Sequence, residues 1–151
     1  MVIQNNFNIF FTLNCLIVML ISENNVILNL SDGRYRNISQ MIAEDILAQE
    51  FTRVVKHYYP RTGELLERCH VKVITGFWGR PAKRFQYIGI YCSEQMMPLV
   101  QAQKEILREI AENMGLIQVV FINAKRLLRD PMSKLKLSQP RLWLELHLVA
   151  A

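Results

Sequence analysis

Two runs rich in β-branched and aromatic residues, Val71-Lys72-Val73-Ile74-Thr75 and Phe85-Gln86-Tyr87-Ile88-Gly89-Ile90-Tyr91, stand nine residues apart and do most to restrict what this chain can fold into. Between them lies GFWGRPAKR, whose glycines and proline punctuate regular structure. The pattern predicts a β-hairpin with a long loop.

The flanking segments supply the rest of a fold. Val26 to Leu30 is a short β-type run closed by Ser31-Asp32-Gly33, residues that favour turns. Ser39 then suits a helix N-cap, and Met41, Ile42, Ile46, Leu47, Phe51, Val54, Val55 and Tyr58 recur at helical spacing until Tyr59-Pro60. Acidic Glu44, Asp45 and Glu50 lie toward the start of that helix, with Arg53, Lys56 and His57 toward its end, which complements the helix dipole. After the hairpin, Ser93 can cap a second helix that tolerates Pro98 only in its first turn, and Leu99, Ile106, Leu107, Ile110 and Met114 form its apolar stripe up to Gly115. Leu116 to Ile122 suits a strand buried on both faces. The chain closes with Leu142, Leu144, Leu146 and Leu148 alternating against Trp143, Glu145, His147 and Val149, the pattern of a half-buried strand. The expected architecture is α+β: a single mixed or antiparallel sheet with two main helices, in the order β-α-β-β-α-β-β, as a two-layer sandwich.

At 151 residues, with scattered proline and glycine and no repeat, the chain is expected to carry one core, in a single α+β domain over residues 23–151. Residues 1–22 stand apart. Phe7 to Ser22 reads FNIFFTLNCLIVMLIS, shorter than a membrane-spanning helix and interrupted by Asn8, Thr12 and Asn14. It also lacks the positive leader and small-residue cleavage site of a signal peptide. The segment is read as a core element or as an extension outside the domain, and a membrane partner is not expected. Cys15, Cys69 and Cys92 cannot all pair with one another and form no CxxC, which fits a reducing, cytoplasmic setting. In that setting the glycan acceptor triplet Asn37-Ile38-Ser39 has no role.

The chain shows no GxSxG, GxxxxGK[ST], HExxH or GxGxxG, so acyl transfer, P-loop phosphoryl transfer, zincin hydrolysis and dinucleotide binding lack support. Cys69 and His70 are adjacent, but at the start of a strand their side chains point to opposite faces. Glu145 and His147 would share a face of the last strand and are read as solvated. Glu105, Glu109 and Glu112 align along the second helix, interleaved with Lys104 and Arg108 as on an ordinary solvated face. No metal site and no cofactor is expected.

What rises above this background is cationic charge mixed with aromatic rings. From Arg53 to Arg84 eight Lys or Arg face only Glu64 and Glu67, in a chain of net charge +5. A second basic cluster follows between residues 125 and 141, with Asp130 its one acid. Single-strand binders combine cationic grooves with stacking rings. The residues expected to bind RNA or single-stranded DNA are Arg61, Lys72, Phe77, Trp78, Arg80, Lys83, Arg84, Lys125, Arg126, Arg129, Lys134 and Lys136, with the hairpin tip and the 125–141 connector forming one basic face. The resulting reading is a small basic, non-catalytic binding module. One alternative uses the same exposed hairpin as a protein–protein contact in a homo-oligomer or assembly, since aromatics and Arg anchor interfaces. Another is an enzyme whose basic loops take a phosphorylated or acidic substrate.

Overall fold

The hairpin forms as the spacing requires, and its strands run farther than the β-rich runs do. In the computed structural model, which describes residues 33–150, β1 (His70–Trp78) pairs antiparallel with β2 (Lys83–Cys92). Their register runs from His70 opposite Tyr91 to Trp78 opposite Lys83. Only Gly79 to Ala82 remain as the connecting turn, so Phe77, Trp78, Lys83 and Arg84, expected in a nine-residue loop, belong to the strands. Gly79 adopts φ +89°, a conformation that L side chains rarely take. A third strand, β3 (Val119–Asn123), lies parallel to β2, with Ile88 opposite Val119 and Cys92 opposite Asn123. The sheet is therefore mixed, in the order β1-β2-β3, with β2 at its centre.

Seven helices accompany the sheet among the described residues: α1 (Gly33–Tyr58), α2 (Pro60–Leu66), α3 (Met97–Gln101), α4 (Lys104–Asn113), α5 (Ala124–Arg129), α6 (Leu135–Ser138) and α7 (Pro140–Ala150). The expectation of two main helices does not hold. The first predicted helix is α1, but it starts at Gly33, so Ser39 lies inside it and not at its cap. It stops where expected because Pro60 begins α2, a position at which the missing N–H costs nothing. The second predicted helix is broken into α3 and α4, with Pro98 in the first turn of α3. The Ser93 carbonyl accepts from the Met96 and Met97 amides at its start. The basic connector folds into α5 and α6. The final segment is a helix and not a strand: α7 buries Leu142 and Leu146 while Leu144 and Leu148 are 60% and 81% exposed.

The chain divides into two compact units, Met1–Leu47 and Ala48–Ala151, and the sheet belongs to the second. The apolar segment 1–22 and the strand expected at Val26 to Leu30 lie outside the described residues.

In β2 the two faces are told apart by register. Ile88, Ile90 and Cys92, with Val73 opposite Ile88, point to one side and are fully buried. Gly89 and Tyr91 point to the other, where Tyr91 clusters with Ala124 of α5 and Leu142 and Leu146 of α7. The sheet is thus buried on both faces from Ile88 to Cys92 and becomes exposed toward the turn. A two-layer sandwich describes it only in part. The amphipathic α4 buries Leu107, Ile110 and Ala111, and the α3 and α4 helices pack against β3. No helix among the described residues is long and apolar enough to cross a membrane.

Candidate functional site

Side chains alternate across a strand, so residues directly opposite in the register share a face. On the face that carries Tyr91, the end of the sheet nearest the turn presents Trp78 and Lys83 as an opposed pair, then Gly76 opposite Phe85, then Ile74 opposite Tyr87. Three aromatic rings therefore stand in sequence on one side of the hairpin. The Phe85 and Tyr87 rings lie 6.3 Å apart and within 19° of parallel. Phe85 lies flat across the bare backbone of Gly76: a Cβ on Gly76 would meet its ring at 2.3 Å. Glycine there is what lets the ring settle onto the sheet. Trp78 is 80% exposed, while Phe85 and Tyr87 are half-buried.

A few cations lie at this end of the hairpin. Arg80 lies in the turn, Lys83 beside Trp78, and Arg84 on the opposite face against Phe77, which is 62% exposed. A shallow groove at this end is lined by Trp78, Arg80, Pro81, Lys83, Phe85 and Ile117 among others. Ile117 is held there by its amide, which donates to the Gln86 carbonyl at 2.9 Å.

The remaining predicted binding residues are elsewhere. Asn123, the last residue of β3, pairs with Cys92, and α5 begins at the next residue, so Lys125, Arg126 and Arg129 follow the end of β2 that lies away from the turn. Nine residue steps along β2 separate Lys83 from Cys92, about 30 Å at a strand rise of ~3.3 Å. Lys72 belongs with that far end, where its Nζ donates to Gln139 Oε1 at 2.7 Å. Lys136 sits over the Trp143 ring, 5.1 Å from its centre. Lys134 precedes α6, and Arg61 is exposed on α2. The expected single basic face is thus two groups at opposite ends of the sheet, together with Arg61 on α2. A hairpin read as having a long, nine-residue loop hides this, because only a register fixes which end each cation occupies. The same register reveals Phe85 and Tyr87 as partners of Trp78. Their spacing of two in the sequence was the available signal.

The residue pairs with catalytic potential are engaged otherwise. His70 Nε2 lies 3.1 Å from Glu145 Oε2, and Arg141 Nε donates to Glu145 Oε1 at 3.2 Å. His147 packs edge-on against Trp143 at 4.4 Å. Glu145 and His147 do not share a strand face, because their segment is helical. Cys69 turns away from His70, its Sγ 3.5 Å from that of Cys92. On α4, Arg108 bridges Glu105 at 2.6 Å and Glu112 at 3.9 Å. No family model, curated protein or solved structure matches the chain, so its function has to be argued from its own residues.

Proposed function

We propose that this protein is a non-catalytic binding module that takes single-stranded nucleic acid on the aromatic face of its hairpin. The observation that carries the reading is the row of Trp78, Phe85 and Tyr87 on one sheet face, bordered by Lys83 and Arg80. Rings held on a sheet offer stacking surfaces for unpaired bases, and neighbouring cations attract the phosphates. Every base has a π-face, so such a surface binds with little sequence preference. Few cations border the rings, so few phosphates are neutralised and the slope of log affinity against log salt is shallow.

The test is titration of the full chain against fluorescent single-stranded DNA and RNA homopolymers at low and at physiological salt. Binding that weakens with salt, and that weakens further in Trp78→Ala, supports the reading. Substituting Lys125, Arg126 and Arg129 together by Gln measures what the far basic group adds, and an unchanged stacking contribution is expected. Absence of binding at low salt, with a concentration-dependent oligomer that Trp78→Ala dissolves, would overturn this reading in favour of an assembly contact.

A further inference from the structure

We propose that Cys69 and Cys92 are a peroxide-responsive dithiol that closes reversibly into a disulfide between the start of β1 and the end of β2. The last registered pair of the hairpin is His70 with Tyr91; Cys69 immediately precedes β1, and Cys92 is the last residue of β2. They are 23 positions apart in sequence, and their Sγ atoms are 3.5 Å apart. A disulfide bond is about 2.05 Å long, so the two sulfurs need to approach by only about 1.5 Å to bond. Both cysteines are free thiols.

The two differ as an attacking and a resolving thiol should. Cys69 is half-buried, whereas Cys92 is fully buried. Contact with the Cys92 thiol holds Cys69 below the ordinary thiol range, against the opposing effect of burial. The same contact and burial push the Cys92 thiol up. The reachable sulfur is therefore the better nucleophile.

In the first step the Cys69 thiolate attacks one oxygen of hydrogen peroxide. An S–O bond forms, the O–O bond breaks, and the departing hydroxide takes a proton to become water, leaving Cys69 as a sulfenic acid. In the second, the Cys92 sulfur attacks the Cys69 sulfur as its proton is lost. The S–S bond forms, the S–O bond breaks, and the hydroxyl leaves with that proton as water. Two thiols have been oxidised and one peroxide reduced to two waters. A dithiol reductant reverses the change by thiol–disulfide exchange.

The experiment uses the full chain, treated with a slight excess of hydrogen peroxide, alkylated, and digested with trypsin without reduction. Cleavage after Arg68, Lys72, Arg84 and Lys104 places Cys69 in the peptide Cys69–Lys72 and Cys92 in Phe85–Lys104, while Cys15 falls in Met1–Arg34. The expected product is the first two peptides joined, lighter by two hydrogen atoms and separated by dithiothreitol. Both cysteines found alkylated after peroxide, Cys69 found as sulfinic acid beside an alkylated Cys92, or Cys69 found joined to Cys15 would each overturn the proposal. In Cys92→Ser the sulfenic acid loses its resolving partner, so its dimedone adduct at Cys69 should rise several-fold over the parent chain. Equal labelling in the two chains would remove Cys92 from the reaction, whatever the folding of the variant, because the peptide map of the parent chain stands by itself.

Discussion

The two ends of the hairpin are built from the same two strands and reach opposite outcomes. At the Cys92 end, the face bearing Tyr91 is covered by Ala124, Leu142 and Leu146, and the covering helix is tied down by the His70–Glu145 and Lys72–Gln139 contacts. At the turn end the same face keeps Trp78 exposed and Phe85 and Tyr87 half-buried, with no such cluster over them among the described residues. Burial makes Tyr91 structural, whereas Trp78 stays at the surface beside cations, where packing does not account for it. On the proposed reading the comparison separates stability from binding along one strand, and it can be broken at either end.

The largest effect belongs to the covered end. Leu146 is fully buried in the cluster with Tyr91, and Leu146→Ala should cost about 2–5 kcal/mol, the lost transfer energy plus a cavity. Urea unfolding followed by circular dichroism measures this. A loss as small as that of an exposed leucine would mean that α7 is not a structural cover. Gly76→Ala comes next and tests the junction of the two ends. The new methyl must displace the Phe85 ring, an overpacking expected to cost about 1–3 kcal/mol. Adding Phe85→Leu should recover part of it, since neighbours in contact are coupled and do not add. Additive losses in that cycle would show that the ring does not rest on the glycine.

The covered end is also where the sequence misled. Leucines at 142, 144, 146 and 148 alternate as in a strand, but the same set contains pairs four apart, and Leu142 with Leu146 is the pair α7 buries. Three details favoured the helix: Leu is a helix former without β-branching, Arg141 and Glu145 sit four apart, and Pro140 occupies the first helical position. By contrast β1, β2 and the long α1 were legible because their periodicity agrees with their composition and Pro60 marks a boundary. The candidate site was legible in its residue types, since Phe77, Trp78, Arg80, Lys83 and Arg84 all gather at the turn. It was not legible in its extent. Charge counted along a sequence says nothing about which end of a sheet a cation occupies, and the separation of Lys125, Arg126 and Arg129 from the tip follows from the parallel pairing of β3 with β2.

A smaller effect is expected where the cover is merely tethered. Glu145 stands between His70 and Arg141 with all three side chains partly exposed. Such pairs are screened by solvent, and Glu145→Gln should cost no more than about 1 kcal/mol. Thermal unfolding of this variant beside Leu146→Ala compares polar tether with apolar cover directly. If the Gln variant proved the weaker of the two, the cover would be held by charge.

The smallest effect on stability, and the one that sharpens the comparison most, is expected at Trp78. Its ring is 80% exposed, so truncation uncovers little and leaves no cavity. Trp78→Ala should therefore change the unfolding free energy by no more than about 0.5 kcal/mol, the ordinary range for surface positions. Loss of one stacking platform is expected to weaken single-strand binding by about 1–3 kcal/mol, roughly thirtyfold at the middle of that range. Measuring both quantities on the same protein tests the division of labour along β2, because a residue that serves the fold would move the first and a residue that serves a ligand would move only the second. Tyr91 is the control at the other end: buried against Leu142 and Leu146, its replacement by Ala should lower stability while having no stacking surface to remove. A Trp78→Ala protein that unfolds as easily as the Tyr91→Ala one would place the tip in the core and end the case for a binding face there.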